Sequence, residues 1–182
     1  MARNQTLPRL WLLSDARNDH ALDAALARLP RGSGFVYRHY HLHGEARRQR
    51  FRILAGIAET FGHVVTVSGS TDLAERWGAD AVYGPTKRIA GATTMRKLAT
   101  AHDRAQIAAA TRARVDGIFL SPVFPTRSHA DARPLGSERF RELAAQTDIP
   151  VIALGGITHA SAQALDWPRW GAIDGLSFQQ DS

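Results

Sequence analysis

The chain has 182 residues, of which 44% are hydrophobic and 22% are charged, and its formal net charge is +6. This composition is typical of a globular protein, and the absence of cysteine from the sequence excludes disulfides, thiolate catalysis and cysteine-based zinc sites. No apolar run reaches the roughly 18 residues of a membrane span, and the first ten residues lack the apolar core of an export signal. The sequence therefore predicts a cytoplasmic protein with one domain over residues 1–182.

The positive charge does not by itself indicate a nucleic-acid partner. All but two of the 23 basic residues, Lys87 and Lys97, are arginines, and they are scattered along the chain. Aromatic residues are not interleaved with them, as they are in the grooves that bind single strands. We therefore expect no nucleic-acid partner and no membrane partner, whereas a small anionic substrate fits this composition.

Eight short apolar runs, each bounded by turn residues, follow one another along the chain. Most are continuous rather than alternating, which is typical of strands buried on both faces of a parallel sheet. The runs span residues 9–15, 34–40, 63–69, 80–84, 95–102, 116–122, 150–156 and 172–178.

Helical patterns lie between these runs. One begins at Asp19, another spans residues 45–62, and the others are predicted to begin at Thr71, Asp103, Ser137 and Thr158, where Thr71 and Thr158 are candidate N-caps. Three helix ends lead into the next strand through similar small-residue sequences, "WGADAVYG", "ARVDGIFL" and "WGAIDGLSF". Such repetition is typical of consecutive β-α units.

Strands that alternate with helices predict the α/β class, here a compact (βα)₈ TIM barrel. Residues 84–94 are too few for a full helix, and about four residues follow the last predicted strand, so the final helix is expected to be missing. An apolar surface left uncovered by that helix would favour a homodimer. An open, doubly wound sheet with fewer strands is the alternative.

Two segments carry the chemistry that the sequence indicates. "PVIALGGI" places Gly155 and Gly156 directly after a buried strand, where backbone N–H groups can bind a phosphate. "VFPTRSHADARPLG" follows the sixth strand, and in a barrel both loops lie on the catalytic face.

Together these two segments resemble the thiamine phosphate synthase and thiazole tautomerase family. "LWLLSD", "DLAERWGADAVYG" and "TAHD" are similar to further family segments and occur in the family's order. The resemblance implies a TIM barrel that acts in thiamine biosynthesis or salvage. Enzymes of this family join an aminopyrimidine diphosphate to a thiazole phosphate and release pyrophosphate with the help of magnesium, and a related branch tautomerises the thiazole.

The resemblance also assigns substrate-binding roles to individual residues. Thr126 and Ser128 match a family motif that contacts substrate, and Gly156, beside Gly155, matches the glycine whose N–H holds the thiazole phosphate. Arg38 matches the arginine that binds the diphosphate. Ser121 stands where the tautomerase branch has a histidine, and we take it as a further substrate-binding candidate.

Two histidines are candidates for acid–base catalysis, because histidine titrates near neutral pH. His129 takes the place of a family lysine, and His102 lies in the segment similar to the family's Ser-x-His. With Arg38 they form the predicted catalytic set.

The sequence departs from the family at the magnesium site. Ser68 and Gly69 replace an Asn-Asp pair after the third strand, and Thr86 or Lys87 replaces an aspartate after the fourth. A magnesium cofactor is therefore suggested by the family resemblance alone, and we assign no metal ligand. Lys87 and Arg88 could supply positive charge in place of the ion. The chain is either a transferase of this type or a non-catalytic module that binds a phosphorylated heterocycle.

A separate alternative rests on "RHYHLH". His39, His41 and His43 alternate, so in an extended segment they would share one face and could ligate a transition metal. This pattern would make the chain a metal-dependent hydrolase, whereas solvent-exposed neutral histidines are the simpler interpretation.

Overall fold

The computed structural model of the protein describes residues 6–91, 93–127 and 133–176. Eight parallel strands close into a barrel in which each strand pairs with the next in chain order and the eighth pairs with the first. This topology confirms the predicted (βα)₈ barrel and excludes the open sheet. The strands are β1 (Leu10–Leu13), β2 (Gly34–Tyr37), β3 (Val64–Ser68), β4 (Ala81–Pro85), β5 (Arg96–Ala101), β6 (Gly117–Leu120), β7 (Val151–Ala153) and β8 (Trp170–Ala172).

Seven α-helices of the described residues alternate with the strands. They are α1 (Leu22–Arg28), α2 (Gly44–Thr60), α3 (Thr71–Trp77), α4 (Thr86–Ile89), α5 (Arg104–Arg112), α6 (Gly136–Ala144) and α7 (His159–Leu165). Two short 3₁₀ helices, Asp19–Ala21 and Asp174–Leu176, precede α1 and follow β8. In the described part of the chain, that second 3₁₀ helix is the only helical segment after β8. None of the described helices is long and apolar enough to cross a membrane.

Of the two candidate N-caps, Thr158 is confirmed and Thr71 is wrong, and Asp103, the predicted start of α5, is its cap. Asp103 and Thr158 accept hydrogen bonds from backbone N–H groups at the starts of α5 and α7. At α3 the cap is Ser70, whose side chain accepts from the N–H of Leu73, and Thr71 is already the first helical residue. The hydroxyl of Ser70 is the better placed because a cap bonds the backbone two or three residues further on.

The position of the last strand was predicted wrongly. β8 runs over Trp170–Ala172, whereas the prediction placed it over residues 172–178. The three similar sequences misled the prediction: in "WGADAVYG" the residues Trp77 and Gly78 end α3, but in "WGAIDGLSF" the equivalent Trp-Gly is the strand itself. The pairing of Trp170 with both Leu10 and Ala153 closes the barrel there.

An inner core fills the barrel and leaves its carboxyl end open. Trp11 is completely buried, and a Cβ on Gly34 would lie only 2.1 Å from its ring, so the glycine makes room for the indole. Leu7, which precedes β1, packs against Gly117 at the start of β6, and both Leu7 and Trp11 belong to the inner cluster. These side chains fill the amino end of the barrel.

Few large apolar side chains are exposed in the described residues. Only Tyr40 and Ile53 stand out, each 54% exposed. The apolar patch that motivated the expected homodimer is therefore not found in the described part of the chain, and the homodimer itself stays a prediction.

Candidate functional site

A cavity of about 440 Å³ opens at the carboxyl ends of the strands, and we call it the mouth cavity. Its floor follows from the alternation along each strand, since residues two apart point to the same side. Phe119 lies in the inner core and is followed two residues later by Ser121, which lines the cavity; Leu98 and Thr100 are related in the same way. The sequence thus changes from apolar to hydroxyl side chains where the barrel interior ends.

Gly155 and Gly156 line the mouth cavity and adopt consecutive left-handed conformations, with φ of 93° and 65°. A Cβ on Gly156 would lie 2.3 Å from the carbonyl oxygen of Pro125, so the loop after β6 packs directly on this turn. The glycines are therefore required for the packing of two loops as well as for any approach of a ligand. Within the described residues, no hydrogen bond uses the backbone N–H of Gly155 or Gly156.

The loop after β8 completes this side of the cavity. Gly175 lines it, and a Cβ there would lie 2.3 Å from the carbonyl oxygen of Ile157. The loops after strands seven and eight are the common phosphate position of TIM barrels. The N-terminus of α7 carries a capping box, in which the Thr158 N–H donates to Ser161 Oγ. The N–H groups of Gly155 and Gly156 have no such partner among the described residues and can bind an anion.

Arg38 follows β2 and reaches the cavity with its side chain only 14% exposed. Its guanidinium lies 3.6 Å from Asp15 Oδ2 and 5.2 Å from the centre of the Tyr40 ring. The hydroxyl of Tyr40 shares a 2.8 Å hydrogen bond with Ser68 Oγ. Arg38 Nε is buried and has no hydrogen-bond partner among the described residues, so this guanidinium keeps donors for a ligand.

Carboxylates on this rim are paired with arginines. Arg17 bonds Asp15 at 2.9 Å and lies 3.3 Å from Asp174, which also lines the cavity. Burial alone would raise the pKa of Asp15, but hydrogen bonds from Arg17 and the positive charges of Arg17 and Arg38 together lower that pKa below its usual value. Asp15 is therefore ionised at neutral pH and holds both cations in place.

His102 and Ser121, which follow the adjacent strands β5 and β6, are neighbours in the mouth cavity. His102 Nδ1 lies 2.8 Å from the carbonyl oxygen of Ser121 and 3.3 Å from its hydroxyl. Because a carbonyl oxygen only accepts, Nδ1 carries the proton in the neutral ring, and Nε2 is then the nitrogen able to accept a proton. This tautomer suits a general base.

The loop after β6 is only partly described. Thr126 and Arg127 line the mouth cavity, so Arg127, although exposed, also belongs to its wall. The predicted site residues Ser128 and His129 lie outside the described residues, and their roles stay predictions.

The histidine triplet does not form the predicted face. β2 ends at Tyr37, and His39 adopts a left-handed φ of 34°, so the segment is not extended. His39 is buried between Ser14 and Asp19, with Nδ1 2.7 Å from Ser14 Oγ and Nε2 2.9 Å from Asp19 Oδ1. His43 is the N-cap of α2 instead.

Asp19, His39 and His41 do lie close enough together to hold a metal ion. Asp19 Oδ1, however, accepts from His39 and, at 2.7 Å, from Arg50. Burial would raise the pKa of Asp19, but these hydrogen bonds lower it. Since a guanidinium already neutralises this carboxylate and none of the three residues lines the mouth cavity, the predicted hydrolase centre is not formed.

The residues after β3 and β4 do not fit a magnesium ion, which usually needs one or two carboxylates. Ser68 offers a hydroxyl that is bonded to Tyr40, and Thr86 offers a buried hydroxyl that has no partner among the described residues. Both are neutral, and Lys87 is a cation. The carboxylates nearest to the cavity lie after β1 and β8, where arginines neutralise them.

Comparison with known proteins agrees with this architecture. Residues 11–167 match the family model described as thiamine monophosphate synthase. The chain belongs to the thiamine monophosphate synthase family. It is 30% identical over 172 residues to a thiamine-phosphate synthase of Mycobacterium sp. strain KMS, covering 83% of this chain and 76% of that protein.

Two further relatives extend this result. A putative thiamine-phosphate synthase 2 of Aquifex aeolicus is 27% identical over 161 residues, covering 84% of this chain and 87% of that protein. The structure of a thiamine phosphate pyrophosphorylase from Pyrococcus furiosus superposes with a TM-score of 0.79 at 21% identity, covering 95% of this chain and 89% of that one, which shows a shared fold. The family resemblance that the sequence indicated is confirmed.

Within the thiamine monophosphate synthase family fold, the structure brings Arg38, His102, Thr126, Ser121 and the glycine pair to one cavity. It adds residues that the sequence reasoning did not single out as site residues, namely Asp174 and Gly175. These were missed because the last strand was placed too late. A strand prediction centred on Trp170, the apolar residue after "DWPR", would have put both residues in the loop that follows.

Proposed function

We propose that this protein binds a phosphorylated thiazole or aminopyrimidine in the mouth cavity and couples the two with release of pyrophosphate. The observation that carries the proposal is that the N–H groups of Gly155 and Gly156 have no partner among the described residues and lie in the same cavity as Arg38, whose Nε likewise has none there. Backbone N–H groups suit a phosphate monoester, and an arginine fork suits a diphosphate. One cavity therefore offers donors for both anionic ends of the reaction.

The proposed chemistry relies mainly on charge. As the diphosphate leaves, negative charge accumulates on its oxygens, and fixed cations such as Arg38 stabilise it. His102, with its proton on Nδ1, would accept a proton through Nε2. Thr126 would hydrogen-bond the phosphate beside the glycine pair, in line with its place on the cavity wall. We expect this activity in the cytoplasm.

A second candidate function follows from the magnesium positions. Because no described carboxylate that follows β3 or β4 lines the mouth cavity, the chain could bind a phosphorylated heterocycle without turnover. The measurement that separates the two functions is formation of thiamine phosphate from both substrates by the purified protein. Formation of product above the background reaction would support a transferase. Binding of the substrates without product would support the non-catalytic binding module.

The binding half of the proposal is tested with thiamine phosphate by isothermal titration calorimetry. Thr126→Val should weaken binding about tenfold or more, since a hydrogen bond to a charged group contributes roughly 1.5–3 kcal/mol. Thr60→Val, at the end of α2 and away from the cavity, is the matched control and should bind as wild type does. Equal affinities for both variants would show that Thr126 makes no ligand contact, and no binding at all by the wild type would refute the proposed function.

A further inference from the structure

The wall of the mouth cavity is strongly cationic in the described residues. Four arginines line it, whereas Asp174 is the only acidic residue that does so; the four are Arg17, Arg38, Arg88 and Arg127. Asp174 is itself paired with Arg17. An anion that enters the cavity therefore meets an excess of positive charge that the arginine side chains alone provide.

Arg38 supplies the first of these charges in a fixed position. Its backbone N–H donates to Ser14 Oγ at 2.7 Å, and its side chain packs beside the Tyr40 ring. A guanidinium has five N–H donors, and the single carboxylate near this one is 3.6 Å away. The buried Nε has no partner among the described residues, so the described part of the protein does not use this donor.

Arg88 supplies the second charge, one residue after Lys87 and two after Thr86, the two positions at which the family resemblance expects a magnesium aspartate. It lies on α4 immediately after β4, and its Cδ packs 3.7 Å from the position a Cβ on Gly84 would take. Arg88 makes no ion pair with any described residue. Lys87, its neighbour on the same short helix, does not line the cavity.

We propose that the mouth cavity binds a diphosphate group directly through Arg38 and Arg88, and that this contact replaces the magnesium ion of the family. The proposal rests on the proposed function and deepens it. Two guanidinium groups carry the same charge as one divalent cation and can bind phosphate oxygens bidentately.

The test is calorimetric titration of inorganic pyrophosphate into the full-length protein, once with EDTA and once with magnesium. The wild type should bind in EDTA, and magnesium should not strengthen the binding. Arg88→Gln should weaken it at least tenfold, whereas Lys87→Gln, which removes the same charge one residue away, should change the affinity less than twofold. Arg38→Lys keeps the charge but not the fork, and we expect it to weaken binding too.

Several results would overturn the inference. One is pyrophosphate binding that requires magnesium, and another is the absence of pyrophosphate binding in both buffers. A third is an equal loss of affinity in the Arg88→Gln and Lys87→Gln variants, which would indicate only a diffuse charge effect. Thiamine phosphate titrated in the same buffers separates this inference from the proposed function. If thiamine phosphate binds while pyrophosphate needs the metal, the arginine inference alone fails; if thiamine phosphate does not bind in either buffer, the proposed function fails.

Discussion

Arg38 reaches the cavity wall because buried polar side chains hold the turn that carries it. Ser14 Oγ accepts from the Arg38 N–H and shares a hydrogen bond with His39 Nδ1, and His39 Nε2 bonds Asp19. With the Ser14 hydroxyl as donor to Nδ1, Nε2 carries the ring proton and donates to the carboxylate. The left-handed His39 is thereby fixed, and the residue before it is directed into the mouth cavity.

Two buried histidines of this molecule stay neutral at neutral pH. Burial lowers the pKa of His39, although the hydrogen bond to Asp19 partly opposes that effect. Burial also lowers the pKa of His63, whose Nε2 donates to the Leu26 carbonyl while Nδ1 has no partner among the described residues. Protonation of either imidazole ring would bury a positive charge, or an N–H donor without an acceptor, in the interior of the protein.

The free energy of unfolding should therefore fall as the pH is lowered from 7 to 5. Below the unfolded-state pKa of about 6.5, histidines in the unfolded chain bind protons, whereas the two folded histidines stay neutral until the pH reaches their lower pKa. The stabilisation that is present above the unfolded-state pKa is therefore lost as the pH falls toward the folded-state pKa. His63→Gln removes one of these groups and should flatten the profile in urea titrations. His20→Gln, at an exposed histidine, should leave the slope unchanged; an unaltered slope in the His63 variant would contradict the assignment.

At the scale of elements, the sequence predicted what depends on local pattern. Six of the apolar runs contain the observed strands and a seventh misses only the last residue of β4, because strands buried on both faces leave a continuous apolar signal. β8 has three residues, of which only Ala172 falls in the predicted range, since its place is set by pairing with β1 and β7 rather than by its own composition. The extended histidine face failed for the same reason: the turn at His39 depends on Ser14 and Asp19.

The packing of β1 on β2 offers a test of the inner core. Gly34→Ala should destabilise the barrel by about 1–3 kcal/mol or more, because the added methyl group would overlap the Trp11 ring. Trp11→Leu alone should also cost stability, through the cavity that it leaves. The double variant should lose less stability than the two single variants added together, by more than about 0.5 kcal/mol, since the smaller leucine side chain makes room for the methyl group.

The measurement is a double-mutant cycle from urea unfolding. Gly56→Ala is the matched control, because a Cβ there meets nothing within 4 Å. Its effect should add to that of Trp11→Leu within about 0.5 kcal/mol. If the effect of Gly34→Ala also added to that of Trp11→Leu within this margin, Gly34 would not be the residue that makes room for the Trp11 indole.

For the whole molecule, the barrel separates stability from binding along its axis. Leu7, Trp11 and Phe119 fill the amino end and the centre, and hydroxyl and arginine side chains occupy the carboxyl end. The sequence placed Arg38, Ser121, Thr126 and the glycine pair after recognisable strands, and the family resemblance suggested their roles, which stay predictions. It could not predict the ion pairs among Arg17, Asp15 and Asp174, because closure of the barrel alone brings the loops after β1 and β8 together.

Because the mouth cavity is assembled from loops after most of the strands, a bound ligand should stabilise the barrel as a unit. At a hundredfold excess over its Kd, thiamine phosphate should add about 2.7 kcal/mol, which for a chain of this size corresponds to a rise in Tm of roughly 5–10 °C. The measurement is thermal unfolding followed by circular dichroism, with EDTA present. Unphosphorylated thiamine at the same concentration is the control and should leave Tm nearly unchanged, because it offers no anion to the N–H groups of Gly155 and Gly156. An equal rise with both compounds would mean that the phosphate is not what the cavity recognises.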